Sequence, residues 1–285
     1  MQLNVYADLT AFAALVRPAL LEREAEHNLI LGLLSELERD PLLFGAAPPY
    51  AAAATGGGAP AAVALMTPPH NLILAGGGAP EALALLADDL ALRFPDLPGL
   101  LASAPVSAQF IPLWRDRRGA RARRTRAERI YELTEVSAPA PAPGRLRPAA
   151  PDDRALVAAW FAAFLREALD EDGSGADRLA DRWLAGGPRA LYLWEDGGPV
   201  AMAGVSGPTP NGIRISAVYT PPERRRRGYA SACVAAVSQI QLDAGRRFCF
   251  LFTDLANPTS NHIYQAIGYR PVCDVDEWKF DAQSG

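Results

Sequence analysis

The sequence predicts an α/β (α+β) fold, a mixed and mostly antiparallel sheet flanked by helices, with two such domains in tandem. Three observations carry this. Across the second half, apolar periodicity changes in the order strand–helix–helix–three strands–helix–strand–helix–strand. The chain has 285 residues, more than the about 100–200 expected of one domain. The first half also repeats the central pattern of the second. YAAAATGGGAPAAVALMTPPHNLILAG, from Tyr50, and LYLWEDGGPVAMAGVSGPTPNGIRISAVYTPPE, from Leu191, both read strand, glycine turn, strand, Thr/Pro break, strand.

In order along the chain, 9–38 reads as one or two helices, with Phe12, Leu15, Leu20, Leu21, Ile30, Leu33 and Leu34 at helical spacing. Pro18 marks a break and Pro41 the end. Strands follow at 50–55, 61–66 and 71–75, then a helix over 81–94 and another ending near Trp114. The stretch 115–129 carries eight arginines. It could form a nucleic-acid patch, but it lacks interleaved aromatics and has acidic neighbours, which favours a solvated, mobile hairpin loop. IYELTEV, from Ile130, alternates as the returning strand.

SAPAPAPG, 137–144, alternates proline with small residues and reads as an extended, semi-rigid linker. The expected domains are therefore 1–136 and 145–285. In the second, a strand near Arg145 precedes a helix capped by Asp152 and Asp153, with Leu156, Trp160, Phe161 and Phe164 on its apolar side. A second helix covers 177–184, and 190–194 and 200–205 form a hairpin across Glu195-Asp196-Gly197-Gly198. FCFLFT, 248–253, is an apolar run that the right-handed crossover rule places parallel to the strand 212–220. Asn257-Pro258 starts a short helix that Gly268 stops, and 269–280 holds one or two strands.

Composition narrows the function classes. A net charge of −4 gives no electrostatic case for nucleic acid or membrane. Lys279 is the only lysine and alanine abounds, a bias typical of GC-rich bacterial genomes. Cys233, Cys249 and Cys273 are odd in number and set in apolar surroundings, as buried thiols in a reducing cytoplasm would be. His27, His70 and His262 have no metal-ligand spacing, so no metal is expected. The N-terminus lacks a signal-peptide pattern, and no apolar run spans a bilayer.

The richest stretch is ISAVYTPPERRRRGYAS, from Ile215. A strand ends at Pro221 and Pro222, an arginine turn follows, and a helix begins near Tyr229 with Cys233, Val237 and Ile240 on one face. A strand–turn–helix junction offers unpaired N–H groups and the positive end of a helix dipole, to which the arginines add full charges, so it suits a pyrophosphate. It is neither a P-loop nor a dinucleotide fingerprint. The spacing Arg225-x-x-Gly228-x-Ala230 resembles the coenzyme A loop of the GNAT superfamily, the acyl-CoA-dependent N-acetyltransferases. NPTSNHIYQAIGYRPV, from Asn257, adds to the resemblance, which covers 144–280.

The resemblance implies an N-acetyltransferase with acetyl-CoA as co-substrate and a small-molecule or amino-acid-like amine as acceptor. It implies that Val218, Tyr219 and Thr220 pair through their backbone with the pantetheine amides. The N–H groups of Arg225, Arg226, Arg227, Gly228, Tyr229 and Ala230 would hold the pyrophosphate, with Asn257 a helix cap and a further coenzyme A contact. Val218 also reads as a core strand residue. Tyr264 stands where the family's general acid lies; the alternative is an aromatic packed beside Ile263 and Ile267. Glu195, Glu223, Asp254 and a water chain all remain open as base. A catalytically silent acyl-CoA sensor or scaffold is the alternative function. The first half is expected to be a degenerate copy, because Gly76-Gly77-Gly78-Ala79-Pro80-Glu81 has no arginine and sets a proline and a carboxylate at the helix entry.

Overall fold

The structure, a computed structural model, describes residues 1–76, 78–169 and 172–281. The chain forms two compact units. The first comprises Met1–Ile130, Thr253–Ala256 and the stretch from Val272 onward; the second comprises Tyr131–Phe252 and Asn257–Pro271.

The elements of the first half are β1 (Gln2–Tyr6), α1 (Leu9–Leu21), α2 (Asn28–Arg39), β2 (Tyr50–Gly56), β3 (Ala59–Met66), β4 (Leu72–Gly76), α3 (Pro80–Arg93), β5 (Gly99–Ser103), α4 (Ala104–Arg118) and β6 (Arg121–Leu133). Those of the second are β7 (Arg145–Pro148), α5 (Arg154–Leu169), α6 (Ala176–Leu184), β8 (Ala190–Glu195), β9 (Pro199–Ser206), β10 (Gly212–Tyr219), α7 (Tyr229–Asp243), β11 (Phe248–Asp254), α8 (Pro258–Ile267) and β12 (Arg270–Asp281). Both halves follow one series, β–α–α–β–β–β–α–β–α–β, as the repeated pattern predicts.

In the first unit β1 to β4 pair antiparallel, β4 and β5 pair parallel, and β12 pairs antiparallel with β5. The four alanines of β2 alternate between two cores. Ala51 and Ala53 face Phe12, Val16, Leu31 and Leu34 of α1 and α2; Ala52 and Ala54 face Leu83, Leu86, Phe110 and Trp114 of α3 and α4.

Two expectations need correction. Pro18 lies inside α1 instead of breaking it, because Phe12, Val16 and Leu20 bury on one face across it. The arginine stretch is not a loop. Arg115–Arg118 end α4, Gly119 caps it at φ 60°, and Arg121 onward is strand β6. Three of its charges are met by carboxylates of β12: Arg129 by Asp274 at 2.6 Å, Arg124 by Asp276 at 3.2 Å and Arg126 by Glu277 at 3.9 Å. The C-terminal strand from Val272, laddered to β5, groups with the first unit.

In the second unit the strand order is β11-β10-β9-β8-β7. β7 to β10 are antiparallel, and β10 and β11 are parallel as predicted. One face is covered by α5 and α6, whose Val157, Trp160, Phe161 and Trp183 pack on Leu191, Leu193, Met202, Ala217 and Tyr219. The other is covered by α7 and α8, whose Tyr229, Cys233, Val237, Tyr264 and Ile267 pack on Ala203, Val205, Ile213, Ile215, Cys249 and Leu251. The 137–144 segment is tied to this unit: Ser137 N–H donates to Ile267 O at 2.7 Å, and Trp194 Nε1–H donates to Pro143 O at 2.8 Å. Among the described residues no helix is long and apolar enough to cross a membrane.

Candidate active site

Strand β10 is regular against β9 up to Ser216, where the register shifts before resuming at Tyr219. Ala217 takes φ 51°. This is a β-bulge, which bends the strand and re-aims its side chains. Ser216 and Ala217 end on the α5/α6 face, and Val218 is left half-buried against the α7/α8 core. The parallel ladder to β11 stops early, its last rung being Arg214 with Phe250. Among the described residues no β10–β11 rung follows it, so the β11-facing backbone of 216–219 has no ladder partner there and can take an extended amide-bearing chain.

The segment after β10 forms a short turn at Pro222–Arg224. Arg226 has φ 61°, and Gly228, the residue before α7, has φ 79° and ψ −1°. Left-handed residues in a tight run aim successive N–H groups at one point, the geometry of an anion nest. Among the described residues none of the N–H groups from Arg226 to Ser231 donates to another backbone carbonyl. The N-terminus of α7 has no side-chain cap and no acidic residue in its first turn. Thr220 Oγ1 is buried without a partner. Orphaned donors, a helix dipole and exposed arginines fit a doubly charged phosphate group, so the residues present suit the pyrophosphate of coenzyme A.

The arginines divide by role. Arg225 faces inward: Nε–H donates to Thr220 O at 2.9 Å, the guanidinium pairs with Glu167 of α5, and it lies 5.9 Å from the Tyr219 ring centroid. The Tyr219 hydroxyl donates to the same Glu167 at 3.2 Å. The side chains of Tyr219 and Arg225 are thus spent on holding the loop to α5. Arg226 and Arg227 are exposed. The Tyr229 hydroxyl bonds Asp196 of the β8–β9 turn, which raises the phenol above its ordinary value. Ala230 sits half-buried in the first helical turn, leaving the approach low. Sequence reasoning missed Glu167 and Asp196; nothing local to either marks it as a partner of this loop.

Tyr264 is buried in the core that also touches Val218 and Tyr229, with its ring 6.0 Å from that of Tyr269. Burial pushes its phenol up to about 12. Asn257 is the cap the sequence predicts: its side chain accepts from Ser260 N–H at 3.1 Å, and the residue is exposed. Two candidate bases are engaged elsewhere. Glu195 accepts from Arg147 Nε–H at 2.7 Å, and Asp254 accepts from Ala256 N–H at 2.7 Å. Glu223 is exposed in the turn.

The equivalent place in the first half is built differently. β4 pairs with β3 from Ile73 to Gly76 without a register shift, so it has no bulge. Only 77–79 separate β4 from α3, against 220–228 between β10 and α7. Pro80 opens α3 and Glu81 stands in its first turn.

Residues 154–269 match the Acetyltransferase (GNAT) family model. A GCN5-related N-acetyltransferase from Sphaerobacter thermophilus is 17% identical, with 98% of this chain and 95% of that one covered at a TM-score of 0.62. An acetyltransferase from the GNAT family of Colwellia psychrerythraea is 10% identical, with 99% and 100% covered at 0.60. A tandem GNAT protein from the clavulanic acid biosynthesis pathway is 15% identical, with 98% of both chains covered at 0.57. These likenesses are of fold, and they extend over both halves. No curated protein is similar to the chain at a significant level.

Proposed function

We propose, from a GNAT domain at residues 154–269, that this protein is an N-acetyltransferase moving an acetyl (acyl) group from coenzyme A to the amine of a small molecule by direct transfer. The observation that carries it is the pairing of two features at one end of β10: a strand that parts from its neighbour at the Ala217 bulge, and a nest of unpaired N–H groups entering α7. The first suits the pantetheine arm and the second the pyrophosphate. Acetyl-CoA supplies the thioester, whose C–S bond is exchanged for a C–N bond on the amine, leaving the free thiol.

The chain's own part is to bind, orient and donate. N–H groups of Arg226 to Ala230 hold phosphate oxygens, with Arg226 and Arg227 adding charge. The freed backbone at Val218 to Thr220 holds the amides of the arm, and Asn257 is a further contact. Tyr264 remains protonated throughout the neutral range. With its phenol at about 12 against a thiol near 8.5, complete proton transfer costs roughly 5 kcal/mol. Burial thus makes the step steeper than the unperturbed values imply. Tyr264 acts by donating a hydrogen bond to sulfur as charge develops, and solvent completes the protonation. The incoming amine loses its proton to water, since Glu195 and Asp254 are engaged.

The first half is a degenerate copy that binds no coenzyme A, since its helix entry has a proline, a carboxylate and no arginine. The partner is a small-molecule amine, not nucleic acid, because Arg124, Arg126 and Arg129 are paired with carboxylates. No membrane partner is included. Three free cysteines suit the reducing cytoplasm. Thiol release from acetyl-CoA with a panel of amines tests the reading. Amine-dependent release is expected; tight acetyl-CoA binding with no release for any amine would favour a silent sensor.

A further inference from the structure

We propose that the segment 137–144 is a working part of the coenzyme A site. Pinned by Trp194, it braces Gly228 from outside and so pre-forms the nest that takes the pyrophosphate. This rests on the transferase reading and adds Trp194 to its site as a positioning residue.

Composition makes the segment stiff. Pro139, Pro141 and Pro143 alternate with alanine, which favours an extended backbone without internal hydrogen bonds. Such a segment must be held from outside, and it is held at both ends. Ser137 N–H donates to Ile267 O at 2.7 Å. Gly268 lies beneath that contact: a Cβ there would come within 2.8 Å of Glu135 O and 3.2 Å of Ser137 Oγ. At the other end Trp194 Nε1–H donates to Pro143 O at 2.8 Å. Gly144 takes φ 107°, and a Cβ on it would come within 2.0 Å of Glu195 O. So close an approach admits only glycine.

Between its anchors the segment reaches the nest. Ala142 is half-buried and packs against the α7 core. The point where a Cβ would stand on Gly228 is 3.5 Å from Ala142 Cβ. Among the described residues, no atom from another part of the chain but this one comes within 4 Å of that point. The next residue is held by the same hairpin end as the segment. The Tyr229 hydroxyl bonds Asp196. Residues 194–196 thus grip the segment through Trp194 and Glu195, and the helix entry through Asp196.

A nest in an exposed turn needs such support. Arg226 and Gly228 hold φ 61° and 79°, in a region that non-glycine residues adopt sparingly. Arg224, Arg226 and Arg227 are exposed like charges in one short turn, and they repel one another. The pair between Arg225 and Glu167 anchors the start of the turn. Ala142 braces its end. A site formed in advance loses less affinity to ordering when the anion arrives.

Trp194→Phe keeps the ring and removes the N–H, and Ala142→Gly removes the bracing methyl. Calorimetry measures the affinity of wild-type and both variants for acetyl-CoA and for S-acetylpantetheine, which lacks the pyrophosphate. Trp194→Phe should weaken acetyl-CoA about three- to tenfold and Ala142→Gly a few-fold, with S-acetylpantetheine unaffected. A general loosening of the domain would weaken both thioesters alike. A second arm needs no ligand. Ala232 N–H donates to Gly228 O at 2.9 Å, so its hydrogen exchange reports whether Gly228 is held. Exchange at Ala232 should quicken several-fold in both variants, while exchange at Val237, in the middle of α7, stays as in wild-type. If no amine promotes thiol release, the transferase reading falls, and the exchange arm still decides this proposal. Unchanged acetyl-CoA affinity, equal loss for the two thioesters, or unchanged exchange at Ala232 would overturn it.

Discussion

Gly228→Asp places a carboxylate at the entry of α7, where the backbone has φ 79° and ψ −1°. A Cβ there would lie 3.5 Å from Ala142 Cβ, an ordinary contact, so the cost of losing glycine is conformational. For alanine in the left-handed region that cost is about 1–2 kcal/mol. Aspartate tolerates the region better, and its charge gains about 0.3–1 kcal/mol from the helix N-terminus. Gly228→Asp should therefore melt no lower than Gly228→Ala. Binding should follow the opposite order. A carboxylate about 4 Å from a phosphate charge costs about 1 kcal/mol in bulk water and about 4 kcal/mol at the effective dielectric of a protein surface. The loop is exposed, so about 2–4 kcal/mol is expected against the two charges of a pyrophosphate, or roughly 30- to 1,000-fold in Kd. Calorimetry with acetyl-CoA reads the affinity, and thermal melting reads the stability. Equal affinity for the aspartate and alanine variants would refute the assignment of the pyrophosphate to this nest.

Tyr264→Phe should lower kcat about 100-fold with acetyl-CoA affinity nearly unchanged; retained kcat would return Tyr264 to the core as a packing residue. Glu167→Gln releases Arg225 and Tyr219, and should weaken acetyl-CoA binding several-fold while costing less than about 1 kcal/mol of stability, the pair being half exposed; unchanged affinity would mean the loop holds its shape without α5. Burial raises the thiols of Cys233 and Cys249 to about 12. Because the unfolded chain then releases protons before the folded one, stability should be full below about pH 8.5 and fall as pH rises toward 12. A melting temperature that stays flat across that range would contradict the burial of these groups.

Much of this was legible in the sequence, and the exceptions share a cause. The strand–turn–helix around Arg225-x-x-Gly228-x-Ala230 is local, so its residue order specified it. Asn257 as a cap and Gly268 as a stop are likewise local signals, and both hold, Gly268 at φ 110°. The arginines of β6 were misread because their partners, Asp274, Asp276 and Glu277, lie far along the chain. A run of eight arginines with only Asp116 and Glu128 among them looks solvated; across strands Arg124, Arg126 and Arg129 meet carboxylates of β12. The resemblance implies a backbone N–H of Arg225 for the pyrophosphate; in the structure that N–H donates to Pro222 O at 3.3 Å, and the side chain pairs with Glu167, a distant residue. Ala217 at φ 51° could not be foreseen, since no glycine or asparagine marks the bulge. The repeat was legible because its turns carry the punctuation: the glycine turns at Gly57 and Gly197 take φ 62° and 67° in the two halves.

A crystal structure of the full chain with coenzyme A tests the central claim most directly. The account predicts one molecule per chain, with its pyrophosphate against the N–H groups of Arg226 to Ala230, its pantetheine arm between β10 and β11, and its sulfur within hydrogen-bonding reach of the Tyr264 hydroxyl. Coenzyme A bound at the entry of α3, or with its pyrophosphate away from the nest before α7, would contradict it.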